Sequence, residues 1–325
     1  MRLSSCVIWR HRTLDEFRAD CPGGDPLLQQ AIVERLDDAL RWLESRGARA
    51  VRRETANPRT VGMRFDPRDL TDELVRAAGD VRLGQPAPMD PSPLLLATGG
   101  FQGDAALVAE HIRPAGPLVL RANSSSSGDG LRAGLARGAA LAPGMDEFYG
   151  RNMPDAPVPE EEFVRASQLY ARHALVVDED GEPFLDEPVS WSENDVVQAT
   201  ARRPGAAAWY LLRPAALDER VGERTVAEMV EAARRLGGTV RTAGELPFAA
   251  PAGIELGVHV RAAITHTIGG LRVDDRARVL DAQGAPVDDL YAAGVDAGGI
   301  STGGYSSGLA AALVLGLAAA EDIAR

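Results

Sequence analysis

The chain contains no lysine; all 35 of its Lys/Arg positions are arginine, against 47 acidic residues. The missing lysine reads as the base composition of a GC-rich genome, not as a functional constraint. The resulting formal charge of −12 argues against a nucleic-acid partner and against docking on an anionic membrane, since both attract basic patches. Cysteine is scarce: Cys6 and Cys21 are too few for a disulfide framework, so a reducing, cytoplasmic setting is expected and both thiols read as structural. The apolar run Leu309 to Ala320 is shorter than the about 20 residues of a membrane-spanning helix and ends in Glu321-Asp322, so it reads as a buried helix. Arg, Asp and Glu near the N-terminus do not fit a signal peptide. The five histidines are scattered, and no Cys/His pair has the spacing of metal ligands. Neither a Ser-His-Asp nucleophile elbow nor a phosphate-binding Walker loop is present.

What remains is a chain of 325 residues, 45% hydrophobic, enough for one large or two medium domains. Leu28, Ile32, Leu36, Leu40 and Leu43 recur at helical spacing, which predicts an amphipathic helix from Pro26 to Gly47 with Asp25 as its N-cap. Asp66-Pro67 opens a second helix through Ala78. Leu94 to Ala97 reads as a short buried strand that ends at Thr98-Gly99-Gly100. Gly128-Asp129-Gly130 leads into a helix to Arg137. From there to about Phe248 the texture changes, with prolines at 154, 157 and 159, aromatics and alternating charge. Within it, Thr225 to Leu236 is an amphipathic helix closed by Gly237-Gly238. Glu160-Glu161-Glu162 and Asp178-Glu179-Asp180 read as solvated loops.

The last third is the most informative. Apolar β-formers around Ala263 stop at Gly269-Gly270, where a chain lets another body approach its backbone. A strand from Asp289 to Ala293 stops at Gly294. A loop with Gly303 and Gly304 then runs into an Ala/Leu helix from about Gly308. A strand, a glycine loop and a helix N-terminus make a site for an electron-rich, partly anionic group.

These segments resemble the flavin-binding part of the fumarate reductase / succinate dehydrogenase flavoprotein family, in the branch that includes ketosteroid dehydrogenases. The matching residues are His266-Thr267-x-Gly269-Gly270, Tyr291-Ala292-Ala293-Gly294, Leu95 to Gly100, and Asn123 through Gly130 to Ala139. The resemblance implies an α/β fold: a Rossmann-like FAD-binding domain, incomplete at its N-terminus, built from 1–130 and 249–325, with an inserted α+β cap over 131–248. The family's N-terminal Gly-x-Gly-x-x-Gly, which holds the ADP half of FAD, has no counterpart here. A misplaced start, a truncated gene and a protein that has lost cofactor binding are three open explanations.

The resemblance implies FAD as cofactor and a small-molecule substrate. It implies cofactor contacts at Thr98, Gly99, Gly100, Gly269, Gly270, Gly294, Asp296, Gly308, Leu309 and Ala310. It places Tyr305 where fumarate reductases carry an arginine that clamps a carboxylate; tyrosine has no charge and no fork of donors. In ketosteroid dehydrogenases a tyrosine there polarises a carbonyl with a backbone N–H four residues on, here Leu309. His266 matches a histidine that hydrogen-bonds substrate, while His259 reads as structural. Tyr149, Arg151, Tyr170 and Arg172 are candidates to move a proton or bind an oxyanion. The implied activity is that of an FAD-dependent oxidoreductase acting on CH–CH groups, interconverting C–C and C=C next to a carbonyl. The alternatives are an inactive or truncated remnant, or one piece of a split flavoprotein that needs an N-terminal FAD-binding companion chain. An electron-transfer partner is left open.

Overall fold

The computed structural model describes residues 2–55, 57–85, 88, 92–185 and 188–325. It divides into two compact units. The first comprises 1–104, 125–147 and 266–325; the second comprises 105–124 and 148–265.

The first unit opens with β1 (Val7–His11), α1 (Leu14–Asp20), α2 (Pro26–Ser45), β2 (Ala50–Arg52), β3 (Thr60–Phe65), α3 (Pro67–Ala78) and β4 (Leu94–Leu96). β1 pairs antiparallel with β3, from Val7 opposite Arg64 to His11 opposite Thr60, and β2 lies on the other side of β3. Both long helices start as their sequences require. Asp25 accepts from the N–H groups of Leu27 and Leu28, and Asp66 from those of Arg68 and Asp69. Each helix has proline in its first turn, where a missing N–H costs nothing. The expected stripe of α2 is buried, with Leu36 fully enclosed.

The second unit starts with α4 (Ala105–Leu107), whose helix continues as a π-turn to Ile112 and stops at Arg113 in the left-handed region (φ 55°). After β5 (Val119–Leu120) the chain returns to the first unit for α5 (Asp129–Ala136). The second unit resumes with β6 (Phe148–Pro154), β7 (Leu175–Val177), α6 (Asn194–Ala201) and β8 (Ala207–Leu212). A small hairpin of β9 (Arg220–Val221) and β10 (Arg224–Thr225) leads to α7 (Val226–Arg235), β11 (Val240–Thr242) and the long β12 (Leu256–Thr267), whose last two residues belong to the first unit. The sheet order is β11-β12-β8-β7, with antiparallel neighbours; β5 and β6 also pair with β12, β5 in parallel. All six residues of β8 are buried. Tyr170, Tyr210, Val258 and Val260 pack with Val226, Met229 and Val230 of α7 into one core.

The first unit closes with β13 (Arg278–Leu280), β14 (Pro286–Ala292) and α8 (Gly308–Ile323). β14 is antiparallel to β13 and parallel to β4, with Leu290 opposite Leu94 and Ala292 opposite Leu96. α8 packs on α2 and buries Ala310, Ala311, Val314, Leu315, Ala318 and Ala319. No helix among the described residues is long and apolar enough to cross a membrane.

The chain crosses between units at places other than those expected at 130/131 and 248/249. Residues 131–147 stay with the first unit because α5 begins against the Thr98 turn, through Gly130 N–H donating to Thr98 Oγ1 at 2.9 Å. Residues 249–265 belong to the second because β12 pairs with β8 from Leu256 to Arg261. Residues 105–124, expected in the first unit, carry β5 onto β12 at Ala263 and Ile264.

Candidate functional sites in the two units

In the first unit, Thr98, Gly99 and Gly100 follow β4 as a tight turn with φ of 100° and 84° at the two glycines. Such angles favour glycine. The buried carboxylate of Asp296 organises this turn. It accepts from Thr98 N–H, from Thr98 Oγ1 at 3.1 Å and from Gly100 N–H at 3.1 Å. Asp296 and Thr98 were expected to touch cofactor; both Asp296 oxygens and the Thr98 hydroxyl instead bond within the chain. Two buried side-chain oxygens beside the turn have no hydrogen-bond partner within the chain, Thr267 Oγ1 and Gln102 Oε1. A Cβ on Gly100 would come within 2.7 Å of the first and 2.9 Å of the second.

The glycine pair 269–270 admits the chain's own backbone. A Cβ on Gly269 would stand 2.4 Å from Met145 Cα, and one on Gly270 would stand 2.7 Å from Asp296 O. Leu271 N–H donates to Asp296 O at 2.7 Å, which seals the contact. Gly294 adopts φ 66° at the start of the turn that carries Asp296. Gly304 is the tightest position: a Cβ there would lie 1.7 Å from Asp20 O.

The start of α8 gathers Tyr305, His266 and two residues that sequence reasoning passed over. Ser307 is the N-cap. Its Oγ accepts from Ala310 N–H at 3.3 Å and from Trp9 N–H at 3.4 Å. The Ala310 N–H expected to face the cofactor is therefore used by the cap. Trp9 presents its indole edge-on to the Tyr305 ring, centroids 5.4 Å apart, and to His11 at 5.3 Å. Tyr305 N–H donates to the Cys21 thiol, which burial pushes up to about 12. His266 covers the first turn, with Nε2 3.2 Å from where a Gly308 Cβ would sit. Its Nδ1 donates to Thr267 O at 3.1 Å. Burial lowers its pKa, so the neutral ring prevails and Nε2 is an acceptor.

In the second unit, the other candidates sit on and around the turn that precedes α6. Arg151 Nη1 donates to Ser192 O at 2.6 Å, and its guanidinium lies 4.8 Å from the centre of the Tyr149 ring. Arg172 Nη2 donates to Trp191 O at 2.9 Å. Tyr170 is not a surface acid. It is fully buried, donates to Gln168 Oε1 at 2.8 Å and meets the Tyr210 ring edge-on at 5.4 Å. Burial raises its pKa, so it belongs to the core and leaves the proton-transfer set.

Sequence reasoning missed Glu193. It is 3% exposed, sits at the N-cap of α6 in the left-handed region (φ 53°) and holds Oε1 without a hydrogen-bond partner. Burial pushes its carboxyl up to about 7, against N–H bonds from Ala171 and Arg172 and the charges of Arg151 and Arg172. Nothing in Ser192-Glu193-Asn194 signals burial, since a glutamate before a helix is ordinarily solvated.

His259 stands between two carboxylates. Nδ1 lies 2.7 Å from Asp155 Oδ2 and Nε2 2.6 Å from Glu179 Oε1, and Trp209 Nε1 donates to Glu179 Oε2 at 3.2 Å. Burial opposes protonation of this ring, but the two carboxylates outweigh it and its pKa is raised. Burial likewise acts to raise Asp155, yet the bonds from His259 and Thr239 bring it down to about 2. Glu179 is thus a bonded partner and not merely part of a solvated loop. Among the described residues no cluster of His, Cys, Asp or Glu is suited to a metal.

Residues 89–309 match the family model described as "FAD binding domain". The protein named Probable fumarate reductase Ifc3, from Shewanella frigidimarina, is 24% identical over 270 residues, 71% of this chain and 44% of that protein. The chain thus spans less than half the length of that curated relative. Two solved structures share the fold. A 3-ketosteroid-Δ4-(5α)-dehydrogenase from Rhodococcus jostii superposes with a TM-score of 0.68 at 17% identity, covering 100% of this chain and 89% of that one. A flavocytochrome c3 fumarate reductase in an open conformation gives 0.63 at 20% identity, covering 96% and 66%.

Proposed function

This chain belongs to the FAD binding domain family, and from that membership we propose that it is a flavin-dependent oxidoreductase interconverting a C–C single bond and a C=C double bond next to a carbonyl. The observation that carries the reading is the uncharged pair Tyr305 and Trp9 at the start of α8. A C4 dicarboxylate calls for a guanidinium fork at this place. A tyrosine hydroxyl beside an indole suits a ketone or enone with an apolar body.

The chain's residues fit the flavin end of FAD. The helix N-terminus favours negative charge, and the orphaned Thr267 Oγ1 and Gln102 Oε1 match hydroxyl groups that both donate and accept. The residues we assign to hold it are Gly99, Gly100, Gln102, Thr267 and the first turn of α8 at Gly308 and Leu309. Bound FAD supplies the hydride acceptor or donor.

The remaining roles belong to the protein. Tyr305 Oη donates to the substrate carbonyl together with Leu309 N–H, which makes the adjacent C–H acidic. His266 Nε2, neutral and accepting, takes a proton close to the same helix start. Arg151 and Arg172, each anchored on a backbone carbonyl, provide fixed positive charge in the second unit, with Tyr149 under Arg151.

The test is an absorbance spectrum of the purified 325-residue chain with and without added FAD, followed by turnover of ketones and enones with a dye acceptor. A shifted flavin band and turnover of an enone couple support the reading. A chain that stays colourless with FAD overturns it.

A second reading, one piece of a split flavoprotein, draws on β4. This strand ends the sheet β13-β14-β4 and leaves Leu95 38% exposed. Under that reading FAD binds only when a separate N-terminal chain is added.

A further inference from the structure

Two arginines of the second unit converge on a single turn. Arg151 of β6 donates to Ser192 O, and Arg172 donates to Trp191 O. The turn is braced from within: Ser190 N–H and Oγ donate to Asp195, and Asn194 N–H donates to Ser192 Oγ at 3.3 Å. At its end stands Glu193, with a left-handed backbone that a non-glycine residue adopts at a cost. Its side chain is 2% exposed, its Oε1 lies 3.8 Å from Arg172 Nε, and the N–H groups of Ala171 and Arg172 donate to its carboxylate. A buried, strained carboxylate with one oxygen unbonded is costly for a fold. A neutral side chain in that place would avoid the cost of burying a charge, so the carboxylate requires an explanation beyond packing.

We propose that Glu193 is the positioning residue of the arginine pair: its ionised carboxylate holds Arg172, and with it the 170–173 turn, against the turn that also receives Arg151. When Glu193 is protonated it no longer attracts the guanidinium, and Arg172, whose side chain is 40% exposed, is free to leave it. The arginine geometry is therefore set by proton uptake at a buried site. The groups that face Glu193 are Arg151 from β6, Tyr170, Ala171 and Arg172 from the 170–173 turn, and Tyr210 from β8. Both phenols are buried with raised pKa, so neither titrates in the neutral range. Burial, the largest influence on Glu193, brings its own titration to about 7. The proposal rests on the reading that Arg151 and Arg172 serve the reaction, but its test does not depend on flavin.

The test uses the full chain, labelled at the arginine side-chain nitrogens, and follows the Arg172 Nε–H resonance by NMR across the neutral pH range. Arg172→Lys assigns the signal by its disappearance. The expected result is one titration step in the wild type, lost in Glu193→Gln and restored with a shifted midpoint in Glu193→Asp. A merely structural glutamate would not produce that rescue. His173 is beside Arg172 in sequence and lies 4.0 Å from Glu219; the step is expected to survive His173→Asn. A flat wild-type titration, a step that persists in Glu193→Gln, or its loss in His173→Asn overturns the proposal. Should Glu193→Gln not fold, the infrared band of a protonated carboxyl in the wild type decides. Its disappearance in step with the Arg172 shift supports the proposal, and its absence at neutral pH overturns it. A protein that stays colourless with FAD sinks the flavin reading and leaves this titration measurable.

Discussion

Tyr305→Phe keeps the aromatic ring against Trp9 and removes only the hydroxyl assigned to the substrate carbonyl. Loss of one preorganised donor to a developing oxyanion lowers kcat by about 10²–10³-fold. That loss is expected in steady-state turnover of an enone couple, with the melting temperature unchanged. Glu193 makes a stability prediction with a definite sign. Its folded pKa of about 7 lies above its ordinary 4.5, so the folded chain holds the proton more tightly than the unfolded chain. Its contribution is most favourable below the unfolded value and is lost as pH rises through about 7. The gap corresponds to about 3 kcal/mol at one unit per ~1.4 kcal/mol. Urea denaturation of Glu193→Gln at a series of pH values is expected to show a flatter dependence than wild type between those two pKa values. His259 has a raised pKa as well, but as a base: its bonds to Asp155 and Glu179 stabilise most below its ordinary 6.5 and weaken as pH rises through the raised value. Asp155 contributes above its ordinary 3.8 and loses that contribution as pH falls through about 2. His259→Leu is therefore expected to destabilise more at mildly acid than at alkaline pH, measured by the same denaturation series.

At the scale of elements, what could be read from sequence was what depends on near neighbours. Asp25-Pro26 and Asp66-Pro67 announced two helix starts, and the leucine stripe of α2 announced its buried face; both are local effects of capping and of a 3.6-residue period. Leu36→Ala should lower unfolding free energy by about 2–5 kcal/mol, and Asp25→Ala by about 0.5–2 kcal/mol, each read from a denaturant midpoint. The glycines around α8 were visible in the local pattern, whereas Tyr305 stood out only through the family resemblance. The brace from Asp296 to Thr98 and Gly100 was not visible: its partners are 198 and 196 residues apart, and an aspartate two residues after a glycine looks the same whether it faces a ligand or a turn. Glu193 was hidden because its burial comes from the packing of the 170–173 turn. Trp9 was hidden because its link to Ser307 spans 298 residues. Long-range pairing of this kind has no periodic trace in the sequence.

At the scale of the whole molecule, FAD that binds only the folded chain raises its stability by mass action. At a free concentration of about 100 times Kd the gain is about 2.7 kcal/mol. A rise in melting temperature that grows with FAD concentration is the expected outcome, and it needs no substrate.

The Cys21–Asp25 turn and the segment from Gly299 to Gly304 meet backbone to backbone, with Asp25 N–H donating to Gly299 O at 2.8 Å and Gly23 N–H to Thr302 O at 3.1 Å. The order in which the ribosome delivers these pieces is then decisive. The two stretches of the second unit are both synthesised by residue 265, while the first unit still lacks 266–325. Residues 21–25 thus emerge before the whole of the second unit, yet they are enclosed only after it. Until α8 arrives, the α2 face that packs on it stays uncovered. During synthesis that apolar stripe is where a holding chaperone has its opportunity, and a chain stopped before residue 266 leaves the same stripe open to proteolysis.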